Sequence, residues 1–182
     1  MRLRVMLLRV TLLLACVLAL ATSAWADATV RVETTLHDGE VRVSFEVTDA
    51  VSEAVRAAIQ SGLPTTFAYD VTLQQTSRWW FDRTIAYMRL SAVVRFDNLT
   101  RRYQITFIED GRVEEVRTTD DEARALHWLT EFHGRRLSSH RLVEDGEYHV
   151  NVKAQTRPRM LGWAWPWTPG AVLGSVTFRF RP

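Results

Sequence analysis

Alternation of apolar and polar residues runs through most of this chain, and it constrains the fold more than any motif does. Successive side chains of a β-strand point to opposite faces, so a period-two pattern marks strands with one face buried and the other wet. Such runs are Val41, Val43, Phe45, Val47; then Phe67, Tyr69, Val71, Leu73; then Ala86, Met88, Leu90, Ala92, Val94, Phe96. Tyr103, Ile105, Phe107 follow, and later Tyr148, Val150, Val152 and Val176, Phe178, Phe180. In the last run Thr177, Arg179 and Arg181 take the other phase, so that strand has a wet side. The apolar members are the expected core.

Asp-Gly pairs at 38–39, 110–111 and 145–146 each separate alternating runs. They supply the positive φ angles of a tight turn, which predicts three hairpins and therefore antiparallel sheets. Asn98-Leu99-Thr100 fits a glycosylation sequon, but between two strands an Asn is ordinary turn chemistry. Two stretches switch to helical spacing. Val51, Ala54, Val55, Ala58 and Ile59 predict a helix over about 50–61, with Asp49 as N-cap and Gly62 and Pro64 as the stop. Thr119 with Glu122 three residues on makes a capping box for a second helix over about 120–133, burying Ala125, Trp128, Leu129 and Phe132. Its acids Asp120, Asp121 and Glu122 suit the positive end of the helix dipole. The predicted fold is mainly β: an antiparallel β-sandwich-like single domain over 27–182 with two short amphipathic helices.

Residues 1–26 read as a cleavable signal peptide. Arg2, Arg4 and Arg9 precede the apolar stretch Val10 to Leu20, and Ala24-Trp25-Ala26 offers small residues for cleavage. The apolar run is too short for a membrane span of about 20 residues. The expected address is the periplasm; a lipoprotein cut at Cys16 is the minor alternative. Cleavage after Ala26 removes the only cysteine, and with it any disulfide. It leaves 20 basic against 21 acidic residues, a formal charge of −1 without a basic stripe, which argues against nucleic acid.

No catalytic constellation emerges. His127 and His133 stand six apart on the expected helix, whereas two ligands on one helical face need three or four. Ser138-Ser139-His140 places hydroxyls beside an imidazole, but no G-x-S-x-G elbow is present. His37 precedes a turn, and His140 and His149 have no patterned partner. The expectation is no enzyme, no metal and no cofactor.

Tryptophan is the unusual feature. Trp163, Trp165 and Trp167 recur at period two around Pro166, and Arg78-Trp79-Trp80-Phe81-Asp82-Arg83 forms a second cluster between two strong strands. Buried, these indoles plug the ends of a sandwich; exposed, they form a surface for a protein partner, a glycan or a headgroup. Pro166 prevents all three of the later indoles from being buried in one strand, so at least one is expected in solvent. The candidate partner or ligand surface is therefore Trp79, Trp80, Arg83, Trp163, Trp165 and Trp167.

The order Gly62-Leu63-Pro64, Phe67-x-Tyr69-x-Val71-x-Leu73, Trp79-Trp80-x-Asp82-Arg83 and Phe96-Asp97-Asn98-Leu99-Thr100-Arg101-x-Tyr103 resembles the bacterial family called domain of unknown function 4390. The resemblance implies a proteobacterial envelope protein, often encoded beside a membrane sensor kinase of the nitrogen-regulation type, and it carries no assigned activity. The expected function is a periplasmic, non-catalytic binding or accessory domain for an envelope protein, with such a kinase as the candidate. The alternative is a protein that binds or hydrolyses an envelope glycan through the tryptophan-lined surface.

Overall fold

The computed structural model describes residues 28–37, 40–77, 81–138, 142–158 and 171–180. In chain order its elements are β1 (Thr29–His37), β2 (Glu40–Thr48), α1 (Glu53–Gln60), β3 (Thr65–Gln75), β4 (Arg83–Asp97) and β5 (Arg102–Glu109). Then come β6 (Arg112–Thr119), α2 (Glu122–Thr130), β7 (Glu131–Ser138), β8 (Glu147–Pro158) and β9 (Val172–Arg179). They form a three-stranded sheet, β1-β2-β7, and a six-stranded sheet, β6-β5-β4-β3-β8-β9. Every pairing is antiparallel.

The sheets stack with their apolar phases inward, as the alternation predicts. Val41, Val43, Phe45 and Val47 of β2 are buried, as are Phe67, Tyr69, Val71 and Leu73 of β3 and Met88, Leu90, Ala92 and Val94 of β4. Four rings join the two layers: Phe45 stacks on Phe132 at 5.0 Å between centroids, and Tyr69 meets both at 5.1 and 5.0 Å. Phe107 adds an edge contact to Phe132 at 6.2 Å. Such ring pairs contribute about 0.5–1.5 kcal/mol each beyond their buried area.

Several expectations need correction. The first helix starts at Glu53, not near residue 50, because Ser52 is the N-cap and its Oγ accepts from the Val55 amide at 3.3 Å. Asp49 instead takes a positive φ of 55° where β2 ends. Only Val55 and Ile59 of the expected apolar face are buried. The second helix is capped by Asp121, whose carboxylate accepts from the Arg124 amide, while Thr119 is the buried last residue of β6. It ends at Thr130, so Phe132 and His133 belong to β7. Phe132 reaches the core from a strand, where its ring can lie flat against Phe45.

Asp110-Gly111 joins the paired strands β5 and β6 with φ of 47° and 83°, as a tight hairpin requires. Residues 38–39 lie outside the described residues, but their flanks His37 and Glu40 are register partners. Asp145-Gly146 is not a hairpin. It precedes β8, which pairs with β3 and β9 and not with β7. Asn98 lies in the turn between β4 and β5, as expected.

The last strand is only half-buried at Val176, Phe178 and Phe180, because β9 is an edge of the large sheet. Ala86 and Phe96, nearer the ends of β4, are half-buried too. The seam between β9 and β1 is nevertheless tight. A Cβ on Gly174 would lie 2.6 Å from both the Val30 Cβ and its carbonyl oxygen. On the opposite side the edges β6 and β7 both carry register shifts. Bulges of this kind twist an exposed edge away from further pairing.

Candidate binding face

With its inner face committed to the core, the large sheet leaves an outer face built from the polar phase of its strands. At the centre is Asp70 on β3, whose cross-strand neighbours are Arg89 on β4 and Lys153 on β8. Asp70 Oδ1 accepts from the Tyr87 hydroxyl at 2.6 Å and from Arg89 Nε at 2.8 Å. The Arg89 guanidinium lies 5.8 Å from the Tyr87 ring centroid, within cation–π range. The three side chains therefore hold one another in place on an open surface.

Their protonation agrees with that geometry. Partial burial works to raise the Asp70 carboxyl, but the bonds from Tyr87 and Arg89 and the charges of Arg89 and Lys153 outweigh it, leaving it below the usual range. The Tyr87 phenol is pushed up, first by its bond to that carboxylate. An ionised carboxylate accepting two donors is the stable state here.

Toward the β3–β4 connection the face continues in amides and an imidazole. Asn151 Nδ2 donates to Gln74 Oε1 at 3.0 Å. His149 Nε2 lies 3.2 Å from Asp82, and its Nδ1 is 3.3 Å from the Thr76 hydroxyl. The partner that the sequence did not reveal for His149 comes from a neighbouring strand connection.

Of the six residues expected to form the surface, Arg83 is described: it is exposed, opens β4 and pairs with Gln75. Trp79, Trp80, Trp163, Trp165 and Trp167 lie outside the described residues, as do Ser139 and His140. Arg83, after the first tryptophan segment, lies opposite Gln75 at one end of β3, and Pro158, before the second, lies opposite Thr65 at the other, while Val172, after the second, pairs with Ala154 beside Tyr69 in mid-strand. At about 3.3 Å per residue those ends are roughly 33 Å apart.

Asp70, Tyr87 and Arg89 were missed because no motif links them. The available signal was the polar phase itself, since Tyr87 and Arg89 alternate with the buried Met88 and Leu90.

On the core side of the sheets, a crevice lined by Leu90, Phe107, Phe132, Glu109, Glu114 and Arg135, among others, has no room for even a water molecule. Among the described residues no three His, Cys, Asp or Glu side chains are grouped as metal ligands. No helix among them is long and apolar enough to cross a membrane.

Residues 28–161 match the family model described as domain of unknown function (DUF4390), so the chain belongs to that family. Comparison with curated proteins and with solved structures gave no match.

Proposed function

Starting from membership of the DUF4390 family, we propose that this chain is an exported periplasmic, non-catalytic binding domain that presents the outer face of its six-stranded sheet to another envelope protein. The candidate partner is the periplasmic part of a membrane sensor kinase. One observation carries the reading: Tyr87 is 49% exposed, yet its hydroxyl is tied to Asp70 and its ring to Arg89. Side chains already held in place lose little rotamer freedom on binding, and Tyr and Arg are enriched where binding energy concentrates. A broad face suits a protein better than a small molecule, and Asp70, whose Oδ1 accepts from both Tyr87 and Arg89, is held as an ionised acceptor and not poised as an acid.

The test is site-specific photo-crosslinking with a full-length membrane sensor kinase of the nitrogen-regulation type, the partner class that the family resemblance implies. A crosslinker at Thr72 or Ser175, on the proposed face, should give an adduct, and one at Thr35 on the other sheet should not. Adding Tyr87→Ala and Arg89→Ala should abolish it. Absence of any adduct from Thr72 and Ser175 overturns the reading.

The glycan reading is favoured by a separate observation, the Gln74–Asn151 amide pair beside the exposed phenol. Sedimentation with purified peptidoglycan, lost on Tyr87→Ala and Asn151→Ala, would establish it instead.

A further inference from the structure

Strand β6 breaks the alternation that governs its neighbours. Its register with β5 slips: Glu115 lies opposite Phe107, but Val113 lies opposite Ile108, which leaves Glu114 as the extra residue of a bulge. Glu114 lines the crevice on the core side with Arg135. Val113 and Val116 are three apart, so in a regular strand they would take opposite faces. The bulge turns both to the outer face, where Val113 joins Ile108, and Val116 joins Thr106. Re-aiming a side chain in this way is what bulges do beside functional sites.

The result is an apolar patch that continues across the sheet. Thr106 is the register partner of Val93 on β4, and Ile108 that of Ser91, which in turn lies opposite Ala68 on β3. Val113 and Val116 are 62% and 50% exposed, and Val93, Ile108 and Ala68 are half-buried. An apolar patch with a polar rim marks an interaction site.

The rim is one-sided in charge. Its carboxylates are engaged within the chain: Asp70 by Tyr87 and Arg89, Asp97 by the amides of Leu99 and Thr100, and Asp110 by the Arg89 amide. Its other bases are not. Lys153 on β8, opposite Asp70, stands on one flank of the patch. Arg95, next after Val93 in the outward phase of β4, and Arg102, opposite Asp97, stand on another. All three are exposed, and among the described residues none forms an ion pair.

We propose that this patch takes an acidic amphipathic segment of the partner protein, its apolar ridge seated on Val93, Ile108, Val113 and Val116 and its carboxylates meeting Lys153, Arg95 and Arg102. The inference rests on the reading of the outer face as protein-binding and names the chemistry that the face selects. A flat patch of short, mostly β-branched side chains suits a protein ridge better than entry into a bilayer, which uses Trp, Phe and Leu. Cations without internal partners exclude a basic segment by repulsion, so charge sets specificity while the apolar contact holds.

The experiment uses the full mature chain and two synthetic amphipathic helices that share one leucine ridge and differ only in carrying Glu or Lys beside it, with binding read by fluorescence anisotropy. The Glu peptide should bind at least about tenfold more tightly, and raised salt should narrow the gap. Val113→Ser with Val116→Ser should remove that binding. Lys153→Gln, Arg95→Gln and Arg102→Gln together should equalise the two peptides. Equal binding of both peptides by the wild type, binding of neither, or binding indifferent to V113S/V116S overturns the inference. Vesicles containing phosphatidylglycerol are the third probe: capture by them without capture of the Glu peptide assigns the patch to a membrane and overturns it too. The kinase partner fails separately. A chain that prefers the Glu peptide but gives no kinase adduct from Thr72 or Ser175 upholds the patch and removes that partner, whereas a kinase adduct that persists in V113S/V116S overturns the patch alone.

Discussion

The Tyr69 hydroxyl on β3 donates a 2.6 Å hydrogen bond to the backbone carbonyl of Leu129, in the last turn of α2. The last carbonyls of a helix have no partner within it, and here one is satisfied by a residue of the opposite sheet. Burial pushes the Tyr69 phenol far above the ordinary range, so it remains a donor at any physiological pH.

Tyr69→Phe should therefore cost about 1–3 kcal/mol, the desolvation penalty of a buried carbonyl left unpaired. The ring stays, so aromatic packing is kept. Urea denaturation with an unchanged slope and a lower midpoint is the expected record; an unchanged midpoint would mean that water replaces the phenol.

Phe132→Ala should be more damaging, about 3–5 kcal/mol, because it opens a cavity among Phe45, Tyr69 and Phe107. The same change at exposed Phe81 should stay within about 0.5 kcal/mol. Calorimetry of the two variants side by side checks the contrast.

At the seam, Gly174→Ala should cost about 1–3 kcal/mol, as overpacking does. The added methyl meets the backbone of β1 at Val30 as well as its side chain, so it cannot be accommodated by a rotamer change alone. Val30→Ala in the same chain should recover only part of the loss.

Asp70 makes stability depend on acid. Its native carboxyl lies below the ordinary range, chiefly because bonds from Tyr87 and Arg89 outweigh its partial burial. Its contribution is present in full above the unfolded value of about 3.9 and disappears as the pH falls through the lower native one. Asp70→Asn should lose up to about 1 kcal/mol at pH 7, the range for exposed networks. Its difference from wild type should vanish in strong acid. A difference that persists at pH 2 would assign the loss to packing.

Export is tested by intact mass. Protein recovered from the periplasm should begin at Asp27; retention of residues 1–26, or a lipid on Cys16, would refute the cleavage site.

Strand phase was legible because it is local. Whether Tyr69 or Asp70 faces the core follows from the pleat, whichever strand lies alongside, and the buried sets of β2, β3, β4, β5 and β8 follow the alternation. Hairpins closed by short turns, such as Asp110-Gly111, were legible for the same reason. Pairing between distant segments was not. Nothing in the order of residues says that β7 joins β2 or that β8 lies between β3 and β9, so the failed hairpin at Asp145-Gly146 and the half-burial of Phe178 had no sequence signal. The helical run expected to reach Phe132 stops at Thr130, and Phe132 packs against Phe45 and Tyr69 from a strand. That break places His127 at 2.7 Å and His133 at 2.5 Å from the Glu131 carboxylate, and cross-strand register brought Tyr87 and Arg89 to Asp70. Chain-local geometry determined which side chains face inward. Only the packing of remote strands decided which polar groups meet.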